Sequence, residues 1–505
     1  MLTYNKKHKL FIWRGDYSSR GLPRNAGFDW HEAGKAWIAK SPYVAYQLID
    51  HADSAAKAQF QPINRNIDRS NSLGNSEPGS IAGELFPYQQ VGVKYLSEQL
   101  DFGRKGVLLA EEQGLGKSAQ SLRIADALGY SKLLVICPAS IRLNWEREVE
   151  MWHQGNKGVK AILAGKDLIP TDSSVIISYN FAEKVQHLEF DMVIVDEIHF
   201  IKNRETKRTI EVLKIVKKFP VVGLTGTPLP NGRPNELWPF LNACAPDIIG
   251  GLKYWPFVRR FCKIESDAYG DKIVGAKRTK ELFTRLRGSG FMMRRLKKDV
   301  LKDLPPKRYQ MIVFPVTGKT REIIKKEQAF DANEITKHGA PVGAGLPDIR
   351  REMGLAMVPQ SVEYISDLME GGVKKLLVFA YHVDVNQNLI EGLKKYNPVC
   401  ITGSTLTKKR QEYVDRFQTD PHCRIFIGNL QAAGTGFTLT AAHDVIFVES
   451  SWVPGENDQA SDRVHRIGQN ERVLIHQLVV KGSLGARILG SAAMKRSDIE
   501  GVLGV

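Results

Sequence analysis

The chain has 505 residues, 43% of them hydrophobic and 25% charged, with a formal net charge of +16; this is an ordinary globular balance, too long for one domain and suited to two or three. The positive excess points to a polyanionic partner, most simply nucleic acid, because Lys and Arg gain by displacing counterions from phosphates. Five cysteines without a C-x-x-C pair argue against a zinc cluster or redox motif, and the absence of a signal peptide or of the about 18–20 consecutive apolar residues needed to cross a bilayer predicts an intracellular, soluble protein with free thiols.

Residues 1–62 interleave Phe11, Trp13, Phe28, Trp30, Trp37 and Tyr43 with Lys6, Lys7, Lys9, Arg14, Arg20, Arg24 and Lys35. The stretch from Phe28 to Ile38 predicts a hairpin, with a helix after Pro42. Two readings stay open: the rings stack on bases while the cations hold phosphates, or they form the core of a small domain that meets a protein partner. Residues 63–80, dominated by Asn, Ser, Gly, Asp and Arg, read as a linker. Beyond it, short β-branched runs at 106–110, 133–137, 175–178, 192–195 and 221–224 alternate with helical stretches at 118–128 and 141–152. Runs apolar on both faces suit strands of a parallel sheet covered by helices. The rhythm returns at 376–379, 399–401, 424–427, 445–448 and 473–478. The expectation is α/β, with two tandem doubly wound parallel-sheet lobes over 81–300 and 301–505 and a small α+β module in front. The charged stretches 235–300 and 318–370 lack the rhythm and read as helical insertions.

The sharpest local signal is Glu111-Glu112-Gln113-Gly114-Leu115-Gly116-Lys117-Ser118, between an expected strand and an expected helix. That is the context of a P-loop. Gly114 and Gly116 let backbone N–H groups approach phosphate oxygens, and the helix N-terminus adds partial positive charge. Lys117 supplies a full charge to the β- and γ-phosphates, and Ser118 offers a hydroxyl to magnesium. Glu111 departs from the general pattern, which has Gly there. Asp196-Glu197-Ile198-His199 closes the run 192–195, where open α/β sheets place their chemistry. Asp196 is the candidate magnesium ligand through water, and Glu197 the candidate base for the attacking water. A plain acidic cap at a strand–helix junction is the alternative, and it weakens once a P-loop lies upstream.

From about residue 85 to the end, the chain resembles the Swi/Snf-like translocases of the superfamily-two helicases. Leu85-Phe86-Pro87-Tyr88-Gln89-Gln90 looks like the adenine-reading segment. The loop at 111–118 is similar to the family's D-E-M-G-L-G-K-T, with Glu111, Gln113 and Ser118 as departures. Lys202-Asn203 after Asp196–His199, and Leu224-Thr225-Gly226-Thr227-Pro228-Leu229, continue the series. In the second half follow Met293-Arg294-Arg295, Leu304-Pro305-Pro306-Lys307 and Ala433-Gly434-Thr435-Gly436-Phe437. The most specific string is Gln459-Ala460-Ser461-Asp462-Arg463-Val464-His465-Arg466-Ile467-Gly468-Gln469. The N-terminal module faintly resembles the accessory modules of annealing helicases, which recognise branched or forked DNA.

The resemblance implies RecA-like lobes with ATP and Mg2+ between them. It implies nucleotide contacts from Gln89, Gly114, Leu115, Gly116, Lys117, Ser118 and Gly436. Catalysis would fall to Lys117, Asp196 and Glu197, with Arg463 and Arg466 as arginine fingers, typically worth about 10³–10⁵ in rate. Thr225 and Thr227 would link nucleotide state to DNA contacts. The partner would be DNA, mainly duplex or forked, held by its backbone with low sequence specificity. A monomeric motor in the cytoplasm of a bacterial or phage-infected cell is expected, without membrane contact, acting in fork remodelling, strand annealing or repair. A strand-separating helicase and a non-hydrolysing DNA-binding scaffold remain as alternatives; the intact Lys117, Asp196, Glu197, Arg463 and Arg466 count against the scaffold.

Overall fold

The structure, a computed structural model, describes residues 1–73, 85–267, 270–301, 307–328, 345–430, 437–452, 454–466, 468–469 and 471–489. The chain opens with four short antiparallel strands, β1 (Leu2–Asn5), β2 (Leu10–Trp13), β3 (Asp29–His31) and β4 (Ala36–Ala39), in the order β1-β2-β4-β3. The hairpin β3–β4 and the helix Pro42–Ala45 lie where the sequence put them; β1 and β2 carry too few residues to show a period. Phe11, Trp13 and Phe28 are core, with Phe11 stacked on Phe60 at 5.3 Å, whereas Trp30 is 50% exposed.

The expected linker is wrong in its first half: residues 61–71 form the helix Gln61–Asn71. Its composition misleads because Ile63 and Ile67, one turn apart, are enough to seat it on the module's core, while several of its polar groups bond the first lobe. Asn66 Nδ2 donates to Gly288 O at 2.9 Å, Arg287 donates to Ser70 Oγ at 2.7 Å, and Arg69 pairs with Glu98 at 2.5 Å. Residues 74–80 lie outside the described residues.

The first lobe holds β5 (Gly106–Leu109), β6 (Leu133–Cys137), β7 (Val159–Ala161), β8 (Ser174–Ser178), β9 (Met192–Asp196) and β10 (Val221–Leu224). The stretch read as a helical insertion contains helices Trp238–Cys244, Tyr254–Phe261 and Thr279–Gly288, but also a hairpin, β11 (Cys262–Asp267) with β12 (Gly270–Ala276). It ends in β13 (Met292–Met293), which returns to the lobe sheet. The order is β13-β5-β10-β9-β6-β8-β7, all parallel. The chain then crosses to the second sheet, formed by β14 (Arg308–Phe314), β15 (Leu376–Ala380), β16 (Val399–Ile401), β17 (Ile425–Asn429), β18 (Asp444–Phe447) and β19 (Leu474–Val480). Its order is β14-β19-β18-β15-β17-β16, again parallel throughout.

Every residue of β5, β6, β8, β10, β15, β17 and β18 is buried, as strands with both faces covered must be. The protein is α/β, two parallel-sheet lobes in tandem. Parallel strands end on one edge of the sheet, so the loops after β5, β9 and β10 converge, and these carry Lys117, Glu197 and Thr225. Among the described residues, no helix is long and apolar enough to cross a membrane.

Candidate active site

The fully buried β5 delivers the chain into the loop that opens helix Lys117–Ala127. Gly114 and Gly116 sit at φ +84° and +77°, where a side chain would be strained. Neither has room for one: a Cβ at Gly114 would lie 2.7 Å from Arg466 Cγ, and one at Gly116 would collide with the amide of Gln89. The loop is therefore clasped from both sides. Gln89 Nε2 and Tyr88 OH each donate to Leu115 O at 3.0 Å, and Gln89 Oε1 accepts the Phe86 N–H at 2.9 Å. Lys117 Nζ donates to Glu111 O at 2.9 Å and Glu112 O at 3.1 Å. Burial lowers its pKa to about 8, against the opposing pull of Glu197 and Glu111. Ser118 follows Lys117 in the first turn of the helix.

Asp196 ends β9 and Glu197 follows at φ +59°, a left-handed conformation that costs a non-glycine residue about 1–2 kcal/mol. Hydrogen bonds hold it there. Gln113 Nε2 and Gln459 Nε2 donate to Glu197 Oε1 at 2.8 and 2.7 Å, and Tyr179 OH lies 3.2 Å from its carbonyl. Thr225 Oγ1 and His199 Nδ1 stand 3.4 and 3.3 Å from Oε2. Trp145 Nε1–H donates to Asp196 Oδ2 at 2.8 Å. Burial, then the Glu197 charge, pushes the Asp196 carboxyl well above its usual range. In Glu197 burial is outweighed by His199, Lys117 and Arg463, which keep its carboxyl low. The two carboxylates are thus driven apart, one kept ionised at the other's expense.

The second lobe reaches into the same cluster. Arg463 is buried, its Nε bonding Gln459 O at 3.2 Å, and burial followed by the Arg466 charge lowers its pKa to about 9. Arg466 lies over Gly114, with Nε on Asp462 O at 2.9 Å and NH1 on Thr438 Oγ1 at 2.9 Å. An ion cluster ties the lobes beneath: Lys297 Nζ bonds Asp462 Oδ1 at 2.7 Å, Lys307 pairs with the same oxygen, and the Lys297 N–H donates to Glu112 Oε2 at 2.8 Å. Burial would raise Asp462, but the two lysines outweigh it and hold its carboxyl well below the carboxylate range.

Residues 88–343 match the model of the SNF2-related domain and residues 360–468 that of the helicase conserved C-terminal domain. The chain belongs to the SNF2-related family. It is 34% identical over 418 residues to the SWI/SNF-related matrix-associated actin-dependent regulator of chromatin subfamily A-like protein 1 of Xenopus laevis, covering 80% of this chain and 42% of that protein. It is 31% identical over 454 residues to the DNA annealing helicase and endonuclease ZRANB3 of Homo sapiens, covering 84% and 41%. The chain thus spans about two fifths of the length of these curated relatives. The SWI2/SNF2 ATPase core of Sulfolobus solfataricus, solved in complex with dsDNA, is 25% identical over 84% of this chain and 94% of that one, with a TM-score of 0.40.

In this SNF2-related chain the structure gathers Gln89, Gly114, Leu115, Gly116, Lys117, Ser118, Asp196 and Glu197 on one lobe and Arg463 and Arg466 on the other into one place. Gly436 lies outside the described residues, as do Leu304–Pro306 of the lobe-junction motif and Ile467 of the last. Trp145 and Trp452 are buried, Trp145 bonding Asp196 and Trp452 lying under the Arg350 guanidinium at 4.3 Å. Magnesium, which the family implies, fits the donors present. Asp196 Oδ1 carries no hydrogen bond among the described residues, and its carboxyl is raised by burial and then by a second carboxylate, an imbalance that a cation beside it would relieve.

Three side chains of this cluster stand in the motifs above without an assigned role. Arg295 Nε bonds Glu111 Oε1 at 2.5 Å, and its NH1 bonds Tyr88 O at 2.6 Å. Gln113 and Gln459 both hold Glu197. A usable signal existed for the first: a Glu in place of a small loop residue needs a buried cationic partner. For the other two, membership in a motif does not assign the role, because their target lies 84 and 262 positions away.

Proposed function

We propose that the chain is a DNA-dependent ATPase that couples ATP hydrolysis to movement along duplex DNA. The observation that carries this reading is the composite site: Lys117, Asp196 and Glu197 come from one lobe, and Gln459, Arg463 and Arg466 from the other. A site split across two lobes makes lobe closure a condition of hydrolysis. If each lobe grips one stretch of the same strand, cyclic closure becomes stepping.

In this reading Gln89 reads the adenine, and the Gly114–Gly116 backbone cradles the phosphates at the helix N-terminus. Lys117 exchanges its loop carbonyls for β- and γ-phosphate oxygens. Ser118 and Asp196 would hold magnesium, Asp196 through water; when bound, it supplies Lewis-acid stabilisation of phosphate charge. Glu197 takes a proton from the attacking water, and Arg463 and Arg466 meet the charge that develops on the γ-phosphate. Thr225, whose hydroxyl faces Glu197, and Thr227, whose N–H bonds Thr225 Oγ1 at 3.1 Å, relay the state of the site toward the DNA track.

The annealing-helicase name of one relative supports forked or branched duplexes as the preferred DNA, with the exposed Trp30 and Lys35 of the N-terminal hairpin as a contact surface. The test is ATP hydrolysis without DNA and with single-stranded, duplex and forked DNA, with Lys117→Ala as the blank. Duplex or fork should stimulate the wild type and leave the variant inactive. Stimulation by single strands alone would favour the strand-separating helicase, and indifference to every DNA would sink the motor.

A further inference from the structure

The carboxylate of Glu197 is held asymmetrically. Oε1 receives two amide donors at 2.7–2.8 Å, Gln113 from the first lobe and Gln459 from the second. Among the described residues, Oε2 has only the longer approaches of Thr225 and His199, at 3.4 and 3.3 Å. The two amides differ in kind. Gln459 belongs to the second lobe. Gln113 belongs to the phosphate loop itself, is buried, and its own Oε1 lies 3.4 Å from Lys117 Nζ. Its stem packs on Gly226 of the Thr225–Thr227 segment, where a Cβ would come within 2.6 Å of Gln113 Cγ. Position 113 is also one of the free positions of the P-loop pattern, so the phosphate cradle does not require glutamine there.

We propose that Gln113 is a positioning residue for hydrolysis, which pins Oε1 of Glu197 from within the first lobe and leaves Oε2 as the oxygen that receives the water's proton. The inference rests on the reading of Glu197 as the base. Water gives its proton to Oε2, its oxygen forms the new bond to the γ-phosphorus, and the bond from that phosphorus to the bridging oxygen breaks, with ADP leaving with the electron pair. Two charge-assisted hydrogen bonds on Oε1 stop the carboxylate from rotating away. Because Gln113 does not move with the second lobe, the carboxylate stays aimed through the part of the cycle in which Gln459 withdraws. The two glutamines therefore back each other up.

The experiment is steady-state ATP hydrolysis at saturating duplex DNA by Gln113→Met, Gln459→Met, the double variant and Lys117→Ala. Methionine keeps the length and unbranched shape of glutamine and removes only the amide. Aim of the base acts on the transition state, so Gln113→Met should lower kcat by about 3–10-fold while KM for ATP stays within about twofold. The double variant should lose more than the product of the single losses, because each amide covers for the other. Gln113→Glu guards against a packing artefact: it keeps length and volume but turns an acceptor toward Glu197. It should fall below Gln113→Met in kcat while a fluorescent ADP analogue still binds as to wild type. Wild-type kcat in Gln113→Met, strictly multiplicative losses, or a loss confined to KM would overturn the inference. If hydrolysis survives Lys117→Ala, the reading of the site fails and the inference with it; a dead Lys117→Ala beside an unaffected Gln113→Met removes the inference alone.

Discussion

Glu111 and Arg295 form a pair with almost no exposure to water, and each has further partners, Gln120 on one side and the Tyr88 carbonyl on the other. Removing one member of such a pair leaves a buried charge without an opposite, at about 3–5 kcal/mol. Arg295→Met should lower the urea midpoint of the first lobe accordingly, and Glu111→Gln added to it should restore part of the loss; full additivity would show that the two do not act as a pair. Asp462 gives a pH dependence of known sign. Its folded-state pKa is depressed, so its contribution is complete above the unfolded carboxylate value of about 3.9 and disappears as pH falls below it. The gap in urea midpoint between wild type and Asp462→Asn should be constant from pH 7 to pH 5 and close in stronger acid. A gap that shrinks between pH 7 and pH 5 would contradict the depressed carboxyl. At this scale the sequence is legible where chemistry lies within one short loop, as at Lys117 or Asp196-Glu197, because backbone and side chain are set together. It offers Arg295, Gln113 and Gln459 only as members of motifs, because the role of each depends on a partner brought near only by the completed fold.

Helix Gln61–Asn71 shows the same division among elements. The strands with both faces covered could be placed within a residue or two, since a short, uninterrupted β-branched run bounded by turn residues is what such a strand requires. This helix has only two inward isoleucines and bonds its polar face to the first lobe, so by composition it resembled a linker. Strands β7 and β13 are too short to stand out, and β14 is an edge strand that opens on the polar Arg308-Tyr309-Gln310 and stays exposed over most of its length. Arg287 is the main fastening of the helix: it is buried, burial lowers its pKa to about 10, and it bonds Ser70 Oγ and Asn71 Oδ1. Arg287→Ala should raise amide hydrogen exchange in residues 61–71 by about 10-fold or more while helix Lys117–Ala127 stays protected, since a hydrogen bond from a charged group is worth about 1.5–3 kcal/mol. Equal exchange in both helices would mean that the module is not held there by Arg287.

For the molecule as a whole, the net charge of +16 and the proposed backbone contacts make one prediction about salt. The logarithm of the DNA affinity, read as the duplex concentration giving half-maximal ATPase, should fall linearly with the logarithm of salt, by about 0.9 per phosphate neutralised. A flat line would rule out grip by the phosphate backbone. One residue also joins the two lobes. Lys297 is fastened to Glu112 of the first lobe and to Asp462 of the second, and the strands nearest it in sequence, β13 and β14, are edge strands of their sheets. In the proposed motor a residue bolted to both halves would serve as a hinge pin, with each sheet extending from it as an arm. Six strand spacings of about 4.8 Å separate β13 from β7 in the seven-stranded sheet, an arm of about 29 Å. On such an arm a turn of about 7° at the pin sweeps the far edge through about 3.5 Å, close to the roughly 3.4 Å rise of one base pair.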